Sequence, residues 1–122
     1  MKATELMIGD WVCLKDDTKC EFPLKVDGVL TDDISLEGEG FLGGVDGLIR
    51  PIPITPEILE KNGWWYNVED MWLHEEVGFF IEKFNGRFQC YDINQIKLDS
   101  VNQLQQTLRL CGLNELADNF KI

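Results

Sequence analysis

The chain has 122 residues, of which 44% are hydrophobic and 11% aromatic, and this composition excludes an intrinsically disordered protein. Its formal net charge of −11, from 11 basic and 22 acidic residues, disfavours binding to phosphate backbones and anionic membranes. The sequence contains no long apolar run, so we expect neither a secretory signal nor a transmembrane helix and place the protein in the cytoplasm.

The N-terminal part predicts short strands joined by tight turns. Runs of apolar and β-branched residues bounded by Asp, Gly and Pro are typical of such strands. The candidates are 11–15, 22–30, 34–37, 41–42, Val45 and the extended segment 48–54. Asp27-Gly28 interrupts the second strand and predicts a bulge or bend. We therefore expect an α+β, mainly β fold whose N-terminal part is a small SH3-like barrel.

A short helix at about 55–62 follows this part. Thr55 can cap it, Pro56 suits the first helical position, and Gly63 can end it in a left-handed conformation. An antiparallel meander is then predicted from strands at 64–68, 71–74, 77–84, 87–91 and 93–98. Asn85-Gly86 between two apolar runs is a strong hairpin signal, since both residues tolerate positive φ.

A second helix is predicted at about 100–111. Ser100 to Gln103 fits a reciprocal capping box, and Gly112 ends the segment. One apolar stripe runs along this helix, from Val101 through Leu104 and Leu108 to Cys111, and Gln105, Gln106 and Arg109 lie away from it. Leu113, Leu116 and Phe120 predict that the tail packs back on the core. We expect residues 1–122 to form one domain, with 1–54 and 55–122 as the alternative subdivision.

The four cysteines are Cys13, Cys20, Cys90 and Cys111. Without an export signal we expect them to be thiols rather than disulfides. Structural zinc sites usually draw on cysteines two to four residues apart, and none of these is so close to another. The sequence therefore predicts no metal and no cofactor.

Three other patterns resemble reactive motifs but lack what the chemistry requires. Gly38 to Gly43 matches the dinucleotide fingerprint, yet glycines and prolines follow where a helix must begin. His74 is the sole histidine, so a zinc-protease pair is excluded. Adjacent acids such as Asp16-Asp17 and Glu69-Asp70 fall in predicted turns, where carboxylates usually face water. We assign no catalytic residue on this evidence.

Aromatic residues are concentrated in the predicted meander. Neighbours on a strand point to opposite faces, so Trp64 and Trp65 cannot enter the same core layer, and nor can Phe79 and Phe80. Either the helices cover both faces, which we favour, or one aromatic face is open for a partner. The candidate interaction surface consists of Trp64, Trp65, Trp72, Phe79, Phe80, Glu69 and Asp70.

Segments 5–12, 51–63 and 101–112 resemble a family of short uncharacterised proteins from gut Bacteroidetes genomes. The resemblance spans the chain in the family's order. It implies no activity, because the family has none established. Its members often carry histidines in the last motif, where this chain has Asn102 and Gln106, and they are often associated with mobile or phage-derived regions.

The absence of a catalytic set, the acidic charge and the aromatic-rich sheet together favour a non-catalytic protein-interaction module with an acidic surface. The expected partner is a protein, and neither nucleic acid nor a membrane is expected to bind. One alternative is a small enzyme that uses His74 with a cysteine or an acidic partner. Others are a nucleic-acid mimic that blocks a DNA-binding protein and a homodimer held by exposed aromatics.

Overall fold

A computed structural model describes residues 5–31, 33–42, 47–91 and 96–122. These residues form two antiparallel sheets and three short helices, so the α+β, mainly β class is confirmed. The first sheet contains β1 (Trp11–Leu14), β2 (Leu24–Val29), β3 (Ile34–Leu36), β4 (Gly40–Leu42) and β5 (Ile49–Pro51). After α1 (Pro56–Lys61) come β6 (Trp64–Tyr66), β7 (Met71–His74), β8 (Phe79–Phe84), β9 (Arg87–Cys90), β10 (Lys97–Leu98), α2 (Val101–Leu110) and α3 (Asn114–Asp118).

The first sheet has the strand order β4-β3-β2-β1-β5. Its register shifts between Val26 and Gly28 of β2, at the position where a bulge or bend was predicted. Pro51 lies on the edge strand β5, where a missing N–H donor is tolerated. Within the described residues β4 and β5 do not pair, so the sheet is not a closed barrel and the SH3-like detail is not confirmed. The strand predicted at Val45 lies outside the described residues.

The second sheet has the order β10-β9-β8-β7-β6, so each strand pairs with its neighbour in the chain and the predicted meander is confirmed. Asn85 and Gly86 have φ of 52° and 78°, as a tight hairpin turn between right-twisted strands requires. The register places His74 of β7 opposite Trp64 of β6 and Phe79 of β8. Residues 93–95 of the predicted last strand lie outside the described part of the chain.

The two predicted helices are confirmed, with one difference in capping. The hydroxyl of Thr55 accepts the backbone N–H of Ile58 at 3.2 Å, and that of Ser100 accepts the N–H of Gln103 at 3.4 Å. The Gln103 side chain accepts from the N–H of Asp99 rather than of Ser100, one residue before the position that a capping box predicts. The five-residue helix α3 was not predicted.

A hydrophobic core joins the second sheet to the helices. Its buried members include Trp64, Phe79 and Ile81 from the sheet, and Leu104 and Phe120 from the C-terminal segment. A smaller cluster of buried apolar side chains lies on the first sheet and includes Val12, Val26, Ile34, Leu36 and Ile49. None of the three helices in the described residues has the length and apolar composition of a membrane span.

Helix α2 also contacts β1, and this second contact buries polar residues that the apolar stripe does not include. Gln105 is fully buried: its amide donates to the carbonyls of Gly9 at 2.8 Å and Ala117 at 3.0 Å, and its oxygen accepts the N–H of Trp11 at 3.0 Å. Gln105 lies off the apolar stripe, as its spacing predicts, yet it is buried, because a helix between two sheets is covered on more than one face.

The next turn of α2 contributes an ion pair to the same contact. The buried carboxylate of Asp10 accepts from Arg109 Nη1 at 2.7 Å, Gln106 Nε2 at 2.8 Å and the N–H of Met7 at 2.9 Å. Arg109 lies 3.4 Å from a second carboxylate, that of Asp118. These bonds connect the helix to the entrance of β1.

The cysteines differ from the prediction. Cys13 and Cys20 form a disulfide, so the expectation of thiols at these two positions is wrong. The turn after β1 brings Cys20 back over the strand, and the sequence spacing alone does not reveal this approach. Cys90 and Cys111 are present as thiols.

Candidate functional site

The second sheet has an inner face turned toward the helices. Trp64, Trp72 and Phe79 lie on it with exposures of 1%, 7% and 5%. Trp64 packs edge-on against Phe79, with ring centroids 6.1 Å apart, and lies 6.4 Å from Phe120. Trp64, Trp72 and Phe79 were predicted to lie on the interaction surface. They belong instead to the core, so the candidate surface no longer includes them. The physical reason is strand alternation: the helices cover the face to which these side chains point.

The opposite face carries what we call the outer row, formed by Trp65, Leu73, Phe80 and Tyr91. The first three are aligned across β6, β7 and β8, and the Phe80 and Tyr91 rings lie 6.1 Å apart. Trp65 is 42% and Tyr91 53% exposed. The prediction that helices cover both faces is not confirmed: none of these four residues belongs to the inner cluster, Trp65 and Tyr91 are exposed, and Leu73 and Phe80 are half-buried.

Leu73 was absent from the predicted surface. The sequence indicates its place only through alternation: Leu73 lies two residues after Met71, on a strand that is buried at every second position. Only the hairpin register places it between Trp65 and Phe80.

Exposed acids occupy the turns beside this face. Glu69 and Asp70, both on the predicted surface, form the turn between β6 and β7, and Glu75 and Glu76 form the turn between β7 and β8. Glu69 and Asp70 have φ of 52° and 62°, a region that residues other than glycine, asparagine and aspartate adopt at a cost of about 1–2 kcal/mol. The acidic turn thus carries a local conformational cost, at Glu69 above all.

His74 lies at the end of β7, where it borders two cavities. Its ring is buried, packs edge-on against Trp64 at 4.9 Å, and its Nδ1 has no hydrogen-bond partner among the described residues. The cavities have volumes of about 400 and 470 Å³, and both are lined by His74, Glu76, Leu116 and Asn119. The first also reaches Trp65, so it adjoins the outer row.

Gly63 makes room for this histidine. It has φ of +94°, and a Cβ built on it would lie 2.6 Å from His74 Nε2. No cysteine is among the described residues that line either cavity, so a Cys–His pair is not assembled there. Glu75, Glu76 and Glu115 are the acidic residues among the described residues that line these cavities. The cavities can hold a polar group of a ligand. The residues that line them do not identify a specific reaction.

Comparisons with known proteins identify no relative: no family model, no curated protein and no solved structure matches the chain.

Proposed function

We propose that the protein is a protein-interaction module that binds its partner through the outer row of the second sheet. The observation that carries the proposal is a line of large apolar side chains across β6, β7 and β8, open to solvent at Trp65. Aromatic residues concentrated on an exposed face are typical of binding surfaces, where they contribute much of the affinity. The inner-face aromatics act as the rigid support of this row.

Charge favours a partner with a basic surface. The chain carries a net charge of −11, and the turns that flank the face hold Glu69, Asp70, Glu75 and Glu76. A second copy would bring the same net charge against these turns, and long-range repulsion opposes that approach. A basic rim around an apolar centre would instead be attracted and would associate faster at low salt.

The turn between β6 and β7 supports a role for its acids. The hairpin at Asn85-Gly86 uses residues suited to positive φ, whereas the other hairpin places Glu69 and Asp70 in the same region. The hairpin requires positive φ at these two positions, but asparagine and glycine would adopt it with less strain, and strained residues are a reason to look for function. We expect these carboxylates to meet the partner's basic groups.

The first test removes the apolar row. The double substitution Trp65→Ser, Phe80→Ser should abolish retention of the partner from a lysate by the immobilised protein. The matched control, Phe22→Ser with Leu110→Ser, changes two residues that are 73% and 82% exposed elsewhere and should retain it. Retention should also fall as salt is raised. Equal loss in both double variants, or retention independent of Trp65 and Phe80, contradicts the proposal.

The second test separates binding from stability at the acidic turn. Replacing Glu69-Asp70 by Asn-Gly should raise the free energy of unfolding by about 1 kcal/mol, because both new residues accept positive φ. The same change should weaken partner binding, because two carboxylates are lost. A variant that is more stable and binds the partner equally well would exclude a role for these acids.

A second candidate function is a small enzyme that uses His74 with Glu76 as its acidic partner. The observation that favours it is the unpartnered Nδ1 of a buried histidine bordering two cavities. A panel of activated esters, amides and phosphate monoesters tests it. Turnover that is lost in His74→Gln and retained in Glu57→Gln, an acid of α1, supports the candidate. Equal rates in the two variants would exclude it.

A further inference from the structure

We propose that the turn after β1, once its disulfide is reduced, binds one zinc ion through Cys13, Asp17 and Cys20. One ligand atom from each residue lies within 4.8 Å of the others. Two thiolates on one tetrahedral zinc ion lie about 3.8 Å apart, given Zn–S bonds of about 2.3 Å. Reduction breaks the bond between two cysteines whose Cα atoms lie 5.8 Å apart, and rotation of the side chains can then open this separation between the sulfurs.

The loop backbone already holds the three residues together. The N–H of Asp17 donates to the carbonyl of Leu14 at 3.0 Å, and the N–H of Cys20 donates to the carbonyl of Asp17 at 3.1 Å. Cys20 has φ of 51°, which turns the chain back toward Cys13. Six residues separate these cysteines, more than in most zinc sites, but the two consecutive turns bring them close together.

The carboxylate of Asp17 is held ready to bind a cation. It accepts the backbone N–H groups of Phe22 at 2.8 Å and Glu21 at 3.0 Å. Hydrogen bonds of this kind fix the orientation of ligating carboxylates in metal sites, and each oxygen keeps a lone pair for the ion.

The charges of the proposed site balance. Two thiolates and one carboxylate supply three negative charges, and zinc together with the guanidinium of Arg50, which donates to the carbonyl of Asp17, supplies three positive ones. Cys13 is fully buried, so an assembly without net charge avoids the cost of burying an uncompensated ion. A cavity of about 230 Å³ bordered by Cys20, Arg50 and Thr18 leaves room for water as the fourth ligand.

Zinc binding requires the reduced state. The disulfide accepts two electrons and two protons from a dithiol, which is itself oxidised to a disulfide, and two thiols result. Zinc then displaces both thiol protons as the Zn–S bonds form. The same two cysteines can thus be joined either by the disulfide or through the zinc ion, and the two states exclude each other.

The test is a zinc titration of the full chain, reduced with a phosphine and monitored by competition with a chromophoric chelator. The reduced protein should bind one equivalent of zinc and the oxidised protein none. Asp17→Asn removes a direct ligand and should weaken binding by more than the about 10- to 100-fold that loss of a hydrogen-bonding partner of a ligand costs, and Asp16→Asn, which changes the adjacent acid, should not. Cys20→Ser should abolish stoichiometric binding, and Cys111→Ser should preserve it.

Cobalt provides a second readout, which reports directly on whether thiolates bind the metal. The reduced wild type should show a thiolate-to-cobalt charge-transfer band, and the band should be lost in Cys20→Ser and retained in Cys111→Ser. Binding of less than one equivalent of zinc by the reduced wild type, or equal zinc affinity of Asp17→Asn and Asp16→Asn, overturns the proposal. Circular dichroism establishes that each variant is folded before it is compared.

Discussion

Replacing Asp10 by asparagine tests whether the buried ion pair connects α2 to the first sheet. The Asp10 side chain has no exposed surface and that of Arg109 has 12%. Asp10 is surrounded by three donors, from Arg109, Gln106 and Met7, so the new amide NH₂ must face a donor in either orientation. Breaking a buried pair by removing one partner costs about 3–5 kcal/mol. We expect about 3 kcal/mol for this isosteric change, because one acceptor oxygen remains.

Urea unfolding followed by tryptophan fluorescence measures this loss, with an unchanged m-value showing that compactness is preserved. For a chain of this size the melting temperature should fall by about 12 °C. Asp118→Asn is the matched control: the same Arg109 meets this carboxylate at 3.4 Å, but the Asp118 side chain is 60% exposed, so less than about 1 kcal/mol should be lost. Equal effects of the two substitutions would refute the reasoning.

Three further predictions concern single positions. Gly63→Ala should cost about 3 kcal/mol in thermal unfolding because it combines positive φ with a Cβ 2.6 Å from His74 Nε2, whereas Gly112→Ala has positive φ in open space and should cost about 1 kcal/mol. Leu104→Ala should cost about 2–5 kcal/mol in urea, since Leu104 is fully buried, and a loss below 1 kcal/mol would contradict its place in the core. The backbone N–H groups of Phe22 and Glu21 lower the pKa of Asp17, so its carboxylate stabilises the fold above the ordinary value of 3.8 and the contribution is lost as pH falls below it. Asp17→Asn should therefore show a shallower loss of stability on acidification, and an unchanged acid profile would oppose this.

Features set by neighbouring residues could be predicted from the sequence. Thr55 and Pro56 determine where α1 begins, and Asn85-Gly86 determines a hairpin, because the required backbone angles depend on those residues themselves. The position of Gln105 could not be predicted in this way. Its partners include Gly9, 96 residues earlier, and its burial results from the helix lying between two sheets.

The candidate surface could be predicted in part. Alternation establishes that Trp64 and Trp65 point to opposite faces, but which of them is buried depends on where the helices pack. His74 could be recognised as the sole histidine, yet its cavities are completed by Leu116, within the unpredicted α3, and by Asn119, just after it. The disulfide could not be predicted from the sequence, because the approach of Cys20 to Cys13 depends on the fold of the loop between them.

Site-specific photo-crosslinking tests the central claim most directly. A photoreactive phenylalanine analogue at position 65 or 80 should form an adduct with a protein other than this chain, and the same probe at position 110, on α2, should not. Adducts of equal yield at all three positions would show that the outer row is not a specific surface. Adducts at positions 65 and 80 composed of two copies of this chain would contradict the proposed basic partner.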